Sequence, residues 1–409
     1  MNKDDSSINF ISCVEKPECT HIPHDFHIDL WQDGPLNRWA FQHVSDFLTT
    51  QEIYAKETHP NANLNINVSD KNVNLLETLN INVDGNIFKF TTILEETYTD
   101  SILVLHKGNI VYERYFNSMK KDSKHLLQSI SKSILGALYA RMIGKGVIDP
   151  EQNIGHYLPE LNASVFGSAT IAQALDMKVA LKFSEDYVIP YSEMNMLDRA
   201  CGWKTNATGI YPTLRSFLSS LTPMVSNVTK IPITHGTDFQ YCSATTDVLA
   251  WLISHVSGMP YSKLLENELW IPMRAWQNAN ITIDSEGLAV GNGGISCTTR
   301  DIALFGQLIL NDGKAFNGMQ VIPSSWIEQT YNGDKYKNHW WVNPSQKQPE
   351  YNEIHARGIY GQYLWLDNET NTVIAKFSSN PVARNTSKFN MHMALFRSIC
   401  DFFQNSDYT

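Results

Sequence analysis

Apolar positions recur at helical spacing most clearly after Ser129, in the stretch 126–146, LLQSISKSILGALYARMIGKG. Ile134, Leu135, Leu138, Tyr139 and Met142 lie three or four apart, which predicts a long buried helix ending near Gly144 and Gly146. Just upstream the period changes. Residues 101–116, SILVLHKGNIVYERYF, read as two strands flanking a Lys-Gly-Asn turn, the clearest hairpin in the chain. Helical patterns return over 169–177, 210–222, 245–257 and 299–309, and a terminal helix is expected over about 389–403. Strand patterns occupy 338–342, 359–366 and 372–378. Residues 31–53 are partly helical in pattern, and the Asn- and Asp-rich stretch 61–89 suits short strands or an extended loop. Strands thus sit at both ends and helices between them, which predicts a sheet assembled from the two chain ends around an inserted helical region.

The length of 409 residues favours two domains over a single core. Residues 1–30 read as an irregular leader, 31–155 with 295–409 as an α/β sheet domain, and 156–294 as a mainly helical domain carrying active-site loops. The balance of 32 basic against 42 acidic residues, a formal charge of −10, argues against nucleic acid or an anionic membrane as partner. No apolar run approaches the roughly 18–20 residues that span a bilayer. The N-terminus shows no basic start followed by an apolar core, so a cytoplasmic location is expected. The six cysteines lack framework spacing and read as free thiols. Cys13, Cys19, His21, His24 and His27 fit no zinc spacing, and neither a metal nor an organic cofactor is expected. Oligomeric state is not legible.

Ser129-Ile-Ser-Lys132 is the candidate chemistry. Three residues apart on a helix, the hydroxyl and the amine share a face. A serine needs a nearby base to act as a nucleophile, and a poorly solvated lysine serves as one. The plainer alternative is a helix cap with a surface lysine beside it. Ser118-Met-Lys-Lys121 repeats the spacing in a polar run with no apolar period after it, so the motif alone is not diagnostic.

No G-x-S-x-G elbow is present, which argues against an α/β-hydrolase. Tyr241-Cys-Ser243 precedes a predicted helix, and its tyrosine is a candidate proton shuttle or simply a residue at a helix start. Gly358-Ile-Tyr-Gly-Gln362 opens a strand; it is either a plain turn or a close backbone approach that completes an oxyanion hole.

In this order, SxxK, YxS and a glycine-bearing C-terminal strand, the chain resembles the serine β-lactamase/penicillin-binding fold family, in particular class C β-lactamases and related esterases. It is more closely similar to 6-aminohexanoate-dimer hydrolases, the nylon-oligomer amidases with carboxylesterase activity. That similarity runs from about Trp31 to the C-terminus, through stretches 33–44, 103–118, 129–138, 175–203, 291–301 and 358–367. The resemblance implies a β-lactamase-like α/β (α+β) fold, an antiparallel sheet flanked by helices, with Ser129 as nucleophile, Lys132 as its activator and Tyr241 as acid/base. It implies an oxyanion hole from the N–H groups of Ser129 and Ile359. It also implies that Tyr187 hydrogen-bonds the departing amide nitrogen, Asp198 attracts a substrate ammonium, Trp203 acts as a lid and Asn292 contacts substrate. Where β-lactamases carry Lys-Thr-Gly this chain has Ala356-Arg-Gly358, so the grip on a β-lactam carboxylate is missing. Tyr360 and Cys242 depart locally as well.

The expected function is therefore hydrolysis of small carboxylic esters and linear amides through a Ser129 acyl-enzyme, on a small-molecule substrate. A D-amino-acid peptidase, a weak β-lactamase and a non-catalytic ligand-binding protein are the alternatives.

Overall fold

The computed structural model describes residues 22–56, 65–66, 70–226, 231–344 and 352–405. The Cys13, Cys19 and His21 part of the leader lies outside them. Strands β1 (Thr99–His106) and β2 (Asn109–Tyr115) form the expected hairpin. Lys107 and Gly108 both take positive φ, 51° and 78°, the mirror-image turn whose twist matches two antiparallel strands. The C-terminal part supplies β3 (Trp340–Pro344), β4 (Asn352–Gly358), β5 (Gln362–Asp367) and β6 (Thr372–Ser378). Their order is β3-β4-β5-β6-β1-β2, antiparallel among these six, with short strands at the edges: Tyr336–Lys337 antiparallel to β3 and Asn65–Ile66 parallel to β2. Pairing of β6 with β1, as in Ala375 opposite Leu103, joins the two chain ends into one sheet.

Every residue of β1 is buried, because both sheet faces are covered. Alternate side chains divide between two cores. Ile102 and Val104 face helix α4 (Thr386–Asn405), packing with Trp365, Ile374 and Phe396. Leu103 and Leu105 face the opposite way, into the core formed with helices α1 (Ile130–Gly144), α2 (Ser243–Ser257) and α3 (Thr299–Leu310). Helix α3 lies close on the sheet because Gly306 has no side chain: a Cβ there would fall 2.7 Å from Val373 Cγ1 and 2.9 Å from Leu364 Cδ1. Helix α1 is buried from Ile130 to Ala140, as an apolar surface on all sides requires.

A second sheet was not legible in the sequence. Strands Thr50–Ile53, Ala279–Thr282, Ile295–Cys297 and His125–Leu126 pair antiparallel in that order. It ties the inserted region to both flanks, and one continuous core includes Trp31, Leu103, Leu197, Leu249 and Leu364. Residues 156–294 contain more helices than strands, and they share this core with the large sheet. In the stretch 61–89 the short strands Asn80–Val83 and Asn86–Lys89 appear, but they are preceded by helix Asp70–Glu77. Val73 and Leu76, three apart, bury one face of that helix in the α4-side core, a pattern hidden by the surrounding asparagines. Residues 22–30 are turns, yet they are packed: the Phe26 ring lies 4.8 Å from that of Phe47.

Gly306→Ala is expected to cost roughly 1–3 kcal/mol of stability by overpacking the α3–sheet contact. Urea unfolding measures it, and an unchanged midpoint would refute the close approach.

Candidate active site

The chain reaches Ser129 under tight control. Strand His125–Leu126 pairs with Ile295–Cys297, and Leu127 N donates to Ile295 O at 2.8 Å. Gln128 then adopts a left-handed φ of 49°, unusual for a residue with a side chain, and its amide donates to Gln32 Oε1 at 3.1 Å. Helix α1 starts at the next turn. Ser129 stands at its N-cap but its side chain makes no capping bond. Its hydroxyl instead meets Lys132 Nζ at 2.8 Å, and Lys132 is only 1% exposed. The plain-cap reading, with a surface lysine, is not what the structure shows.

Lys132 Nζ has two further oxygen partners, Asn292 O at 2.8 Å and Ser243 Oγ at 3.2 Å. Asn292 is fixed by Asp247, which accepts from its backbone N at 2.9 Å and from Nδ2 at 2.7 Å. Burial pushes the Asp247 carboxyl up to about 7, against the opposing pull of the Asn292 bonds and the Lys132 charge. Ser243 gives its proton to Glu185 Oε1 at 2.5 Å, and its backbone N donates to Oε2 at 2.9 Å. The Tyr187 hydroxyl donates to the same Glu185 Oε1 at 2.8 Å. Burial, reinforced by the Glu185 charge, holds that hydroxyl well above the usual phenol range, so it keeps its proton.

Tyr241 leads into α2 and stacks on Trp341, with ring centroids 5.4 Å apart at 22°. Lys132 Nζ lies 5.1 Å from the Tyr241 ring centroid. The lysine is therefore a neighbour of the ring, while its hydrogen bonds go elsewhere. The end of β4 crosses directly over the start of α1. A Cβ on Gly358 would lie 2.8 Å from Leu127 O and 3.0 Å from Ser129 N, so only glycine permits this approach. Ile359 follows, and Tyr360 takes a left-handed φ of 63° as its N–H turns away to Ala383 O.

Ser129, Tyr187, Tyr241, Gly358 and Ile359 line one cleft of about 410 Å³, to which Lys388, Phe389 and His392 of α4 also contribute. Asp198, Trp203 and Asn292 are not among its lining residues. Asp198 is buried with Lys204 Nζ 3.3 Å from Oδ2; burial pushes its carboxyl up to about 6 although Lys204 works the other way. The Trp203 ring is buried 5.3 Å from that of Trp31, and its indole N–H donates to Thr282 Oγ1 at 3.1 Å, which places it in the core rather than over the opening. Asn292 meets Lys132 rather than the cleft. Glu185 had no signal in the sequence: it lies two residues before Tyr187 in a loop without motif or period.

Among the described residues, no group of three or more His, Cys, Asp and Glu could hold a metal ion, and no helix is long and apolar enough to cross a membrane. Cys201, Cys242, Cys297 and Cys400 are free and buried.

The β-lactamase family profile matches residues 92–390. The chain is 35% identical over 372 residues to the 6-aminohexanoate-dimer hydrolase of Paenarthrobacter ureafaciens, covering 87% of this chain and 88% of that protein. Among solved structures, a Bacillus anthracis protein provisionally assigned as a 6-aminohexanoate-dimer hydrolase superposes with a TM-score of 0.83 at 24% identity, covering 94% of this chain and 98% of the other. A family VIII carboxylesterase shares the fold at a TM-score of 0.54 and 14% identity, over 78% of this chain and all of its own (100%). Two chain ends closed into one antiparallel sheet, a serine and a lysine on a buried helix beneath it, and a match across most of the length lead to one conclusion: the chain belongs to the β-lactamase family of hydrolases.

Proposed function

We propose that this hydrolase cleaves short carboxylic esters and linear amides through an acyl-enzyme on Ser129. The observation that carries the reading is the 2.8 Å contact between Ser129 Oγ and a lysine amine whose other partners are acceptors. Asn292 O can only accept, and Ser243 Oγ accepts because its own proton is committed to Glu185. An uncharged Lys132 would spend its two N–H bonds on these oxygens and turn its lone pair to Ser129. Glu185 thereby sets the direction of proton flow.

Acylation then follows. Ser129 Oγ gives its proton to Lys132 and bonds to the scissile carbonyl carbon, while the carbonyl oxygen becomes an oxyanion held by the Ser129 and Ile359 N–H groups. The carbon–heteroatom bond breaks as Tyr241 passes its proton to the leaving atom, and the Lys132 ammonium restores the phenol. In deacylation, water loses a proton to the same pair, attacks the acyl carbon, and Ser129 leaves with its hydroxyl restored. A missing oxyanion donor typically costs about 10²–10³ in rate. The left-handed residues beside both N–H groups, Gln128 and Tyr360, support a preformed hole.

Tyr187 distinguishes amides from esters. Its proton goes to Glu185, so its oxygen is left to accept an N–H from a substrate. Accepting the scissile N–H would turn the nitrogen lone pair towards Tyr241; an ester oxygen has no hydrogen to offer. Asn292 would act through Lys132. The Asp198 carboxylate, expected to attract a substrate ammonium, is matched here by Lys204. In this reading Lys204 must yield before Asp198 can serve that role.

Stopped-flow hydrolysis of a p-nitrophenyl ester of a short acid should show a burst with an acyl adduct on Ser129. Ser129→Ala should lower turnover by at least roughly 10³-fold without loss of fold. Unchanged turnover in that variant would sink the mechanism, and folded wild-type protein giving neither burst nor adduct would favour a ligand-binding role. Tyr187→Phe should depress kcat for a linear amide roughly tenfold more than for the matching ester, about 1.4 kcal/mol. Equal losses on the two substrates would remove Tyr187 from amide chemistry.

A further inference from the structure

The two N–H groups assigned to the oxyanion sit on distant segments, and each has a left-handed neighbour. Gln128 precedes Ser129 with a φ of 49°, and Tyr360 follows Ile359 with a φ of 63°. Residues with side chains keep such conformations only when their surroundings enforce them. Neither Gln128 nor Tyr360 lines the cleft, and both side chains enter one polar network.

At one end Gln128 Nε2 donates to Gln32 Oε1 at 3.1 Å. The Gln32 amide, its oxygen so used, donates an N–H to the Asp198 carboxylate. Asp198 is 4% exposed and is paired with Lys204, whose Nζ lies 3.3 Å from Oδ2. The Lys204 charge also acts on Asp33, and Asp33 accepts the Tyr360 hydroxyl at the other end. Asp33 is exposed and Lys204 half-buried, while Gln32, Gln128, Asp198 and Tyr360 are buried. Further bonds fasten the segment that carries Gln32 and Asp33. Trp31 Nε1 donates to Trp203 O at 2.8 Å, and Thr205 N donates to Asp29 Oδ1 at 2.7 Å. On the other side Gly34 N donates to Pro381 O at 3.1 Å, Asn37 Nδ2 to Asn380 O at 2.6 Å, and Asn380 N to Tyr360 O at 3.1 Å.

We propose that the Asp198–Lys204 pair, with Gln32 and Asp33, is a brace that positions the oxyanion hole. It holds Gln128 and Tyr360, and through them the Ser129 and Ile359 N–H groups, at one spacing. These are positioning residues, since none of them touches the reacting atoms. The oxyanion role rests on the serine mechanism proposed above, whereas the brace rests on the network alone. Asp198 already has its cation, so an ammonium on the acyl chain gains nothing from it. A buried pair of this kind is costly to break from one side, because the remaining charge is left unpaired.

The test uses Asp198→Asn/Lys204→Met, which removes both charges together, and Tyr360→Phe, which removes one hydroxyl. Hydrogen exchange read by peptide mass analysis should quicken roughly tenfold in segments 127–131 and 357–361 of the double variant, while β1 keeps its wild-type protection. Unchanged exchange in either segment, or an equal rise throughout the chain, overturns the brace. Stopped-flow acylation then compares p-nitrophenyl heptanoate with p-nitrophenyl 6-aminohexanoate, which match in length and differ in one charge. Per site titrated by the burst, the acylation rate constant should fall roughly tenfold on both esters in both variants, with KM within about twofold, a part of the loss that a missing oxyanion donor causes. A merely structural role would shrink the burst amplitude and leave the rate constant of the remaining sites unchanged. A loss confined to the ammonium ester would make Asp198 a substrate subsite. Either result overturns the proposal while leaving the serine hydrolase standing. If wild-type protein gives neither burst nor Ser129 adduct, the serine mechanism fails, and the exchange result alone decides the brace.

Discussion

The site depends on burying one lysine amine without leaving it unsatisfied. An amine taken out of water is costly unless oxygens replace its hydration. Here three oxygens do so, from Ser129, Ser243 and Asn292, which come from three separated parts of the chain. Each is held in turn: Ser243 by Glu185, Asn292 by Asp247, and Ser129 by the start of α1. Lys132 is consequently the point where Ser129, Ser243 and Asn292 are tied together. Loss of any of these supports would leave a buried polar atom unpaired, and so the arrangement is all-or-none.

A second constraint is backbone proximity. The sheet must bring the end of β4 against the N-terminus of α1, and the 3.0 Å from a notional Gly358 Cβ to Ser129 N shows how little room remains. Left-handed φ values at Gln128 and Tyr360 lie beside the two N–H groups at this contact. Such conformations persist in side-chain-bearing residues only when the surroundings over-determine them. The small sheet does this for Gln128, through the pairing of His125–Leu126 and the Leu127 bond to Ile295.

The cleft is asymmetric in charge. Behind Tyr187 and Ser243 sits the Glu185 carboxylate, whereas the side formed by β4 and α4 carries arginines stacked on aromatic rings. The Glu185 carboxylate orients the hydroxyl protons of Tyr187 and Ser243 towards itself.

By itself the sequence determined the local elements and singled out Ser129 as the candidate nucleophile. The apolar period after Ser129 separated it from the decoy Ser118, which is exposed in a turn with a φ of 61°. The hairpin around Lys107–Gly108, helices α1 to α4 and strands β3, β5 and β6 were legible for the same reason: their signals lie within a few residues of each other. The tertiary structure alone decided what distant segments do together. Glu185, two residues before Tyr187 in an unpatterned loop, joins Lys132 only through Ser243. Asn292 turned out to hold the lysine, Trp203 to pack in the core, and Asp198 to face Lys204. Arg357 read as a departure from a motif until Trp341, Phe389 and Arg384 were placed around it. Periodicity encodes which face of an element is buried; it does not encode which residue of another element is buried against it. That choice is made by packing across long sequence separations, where no short-range pattern records it.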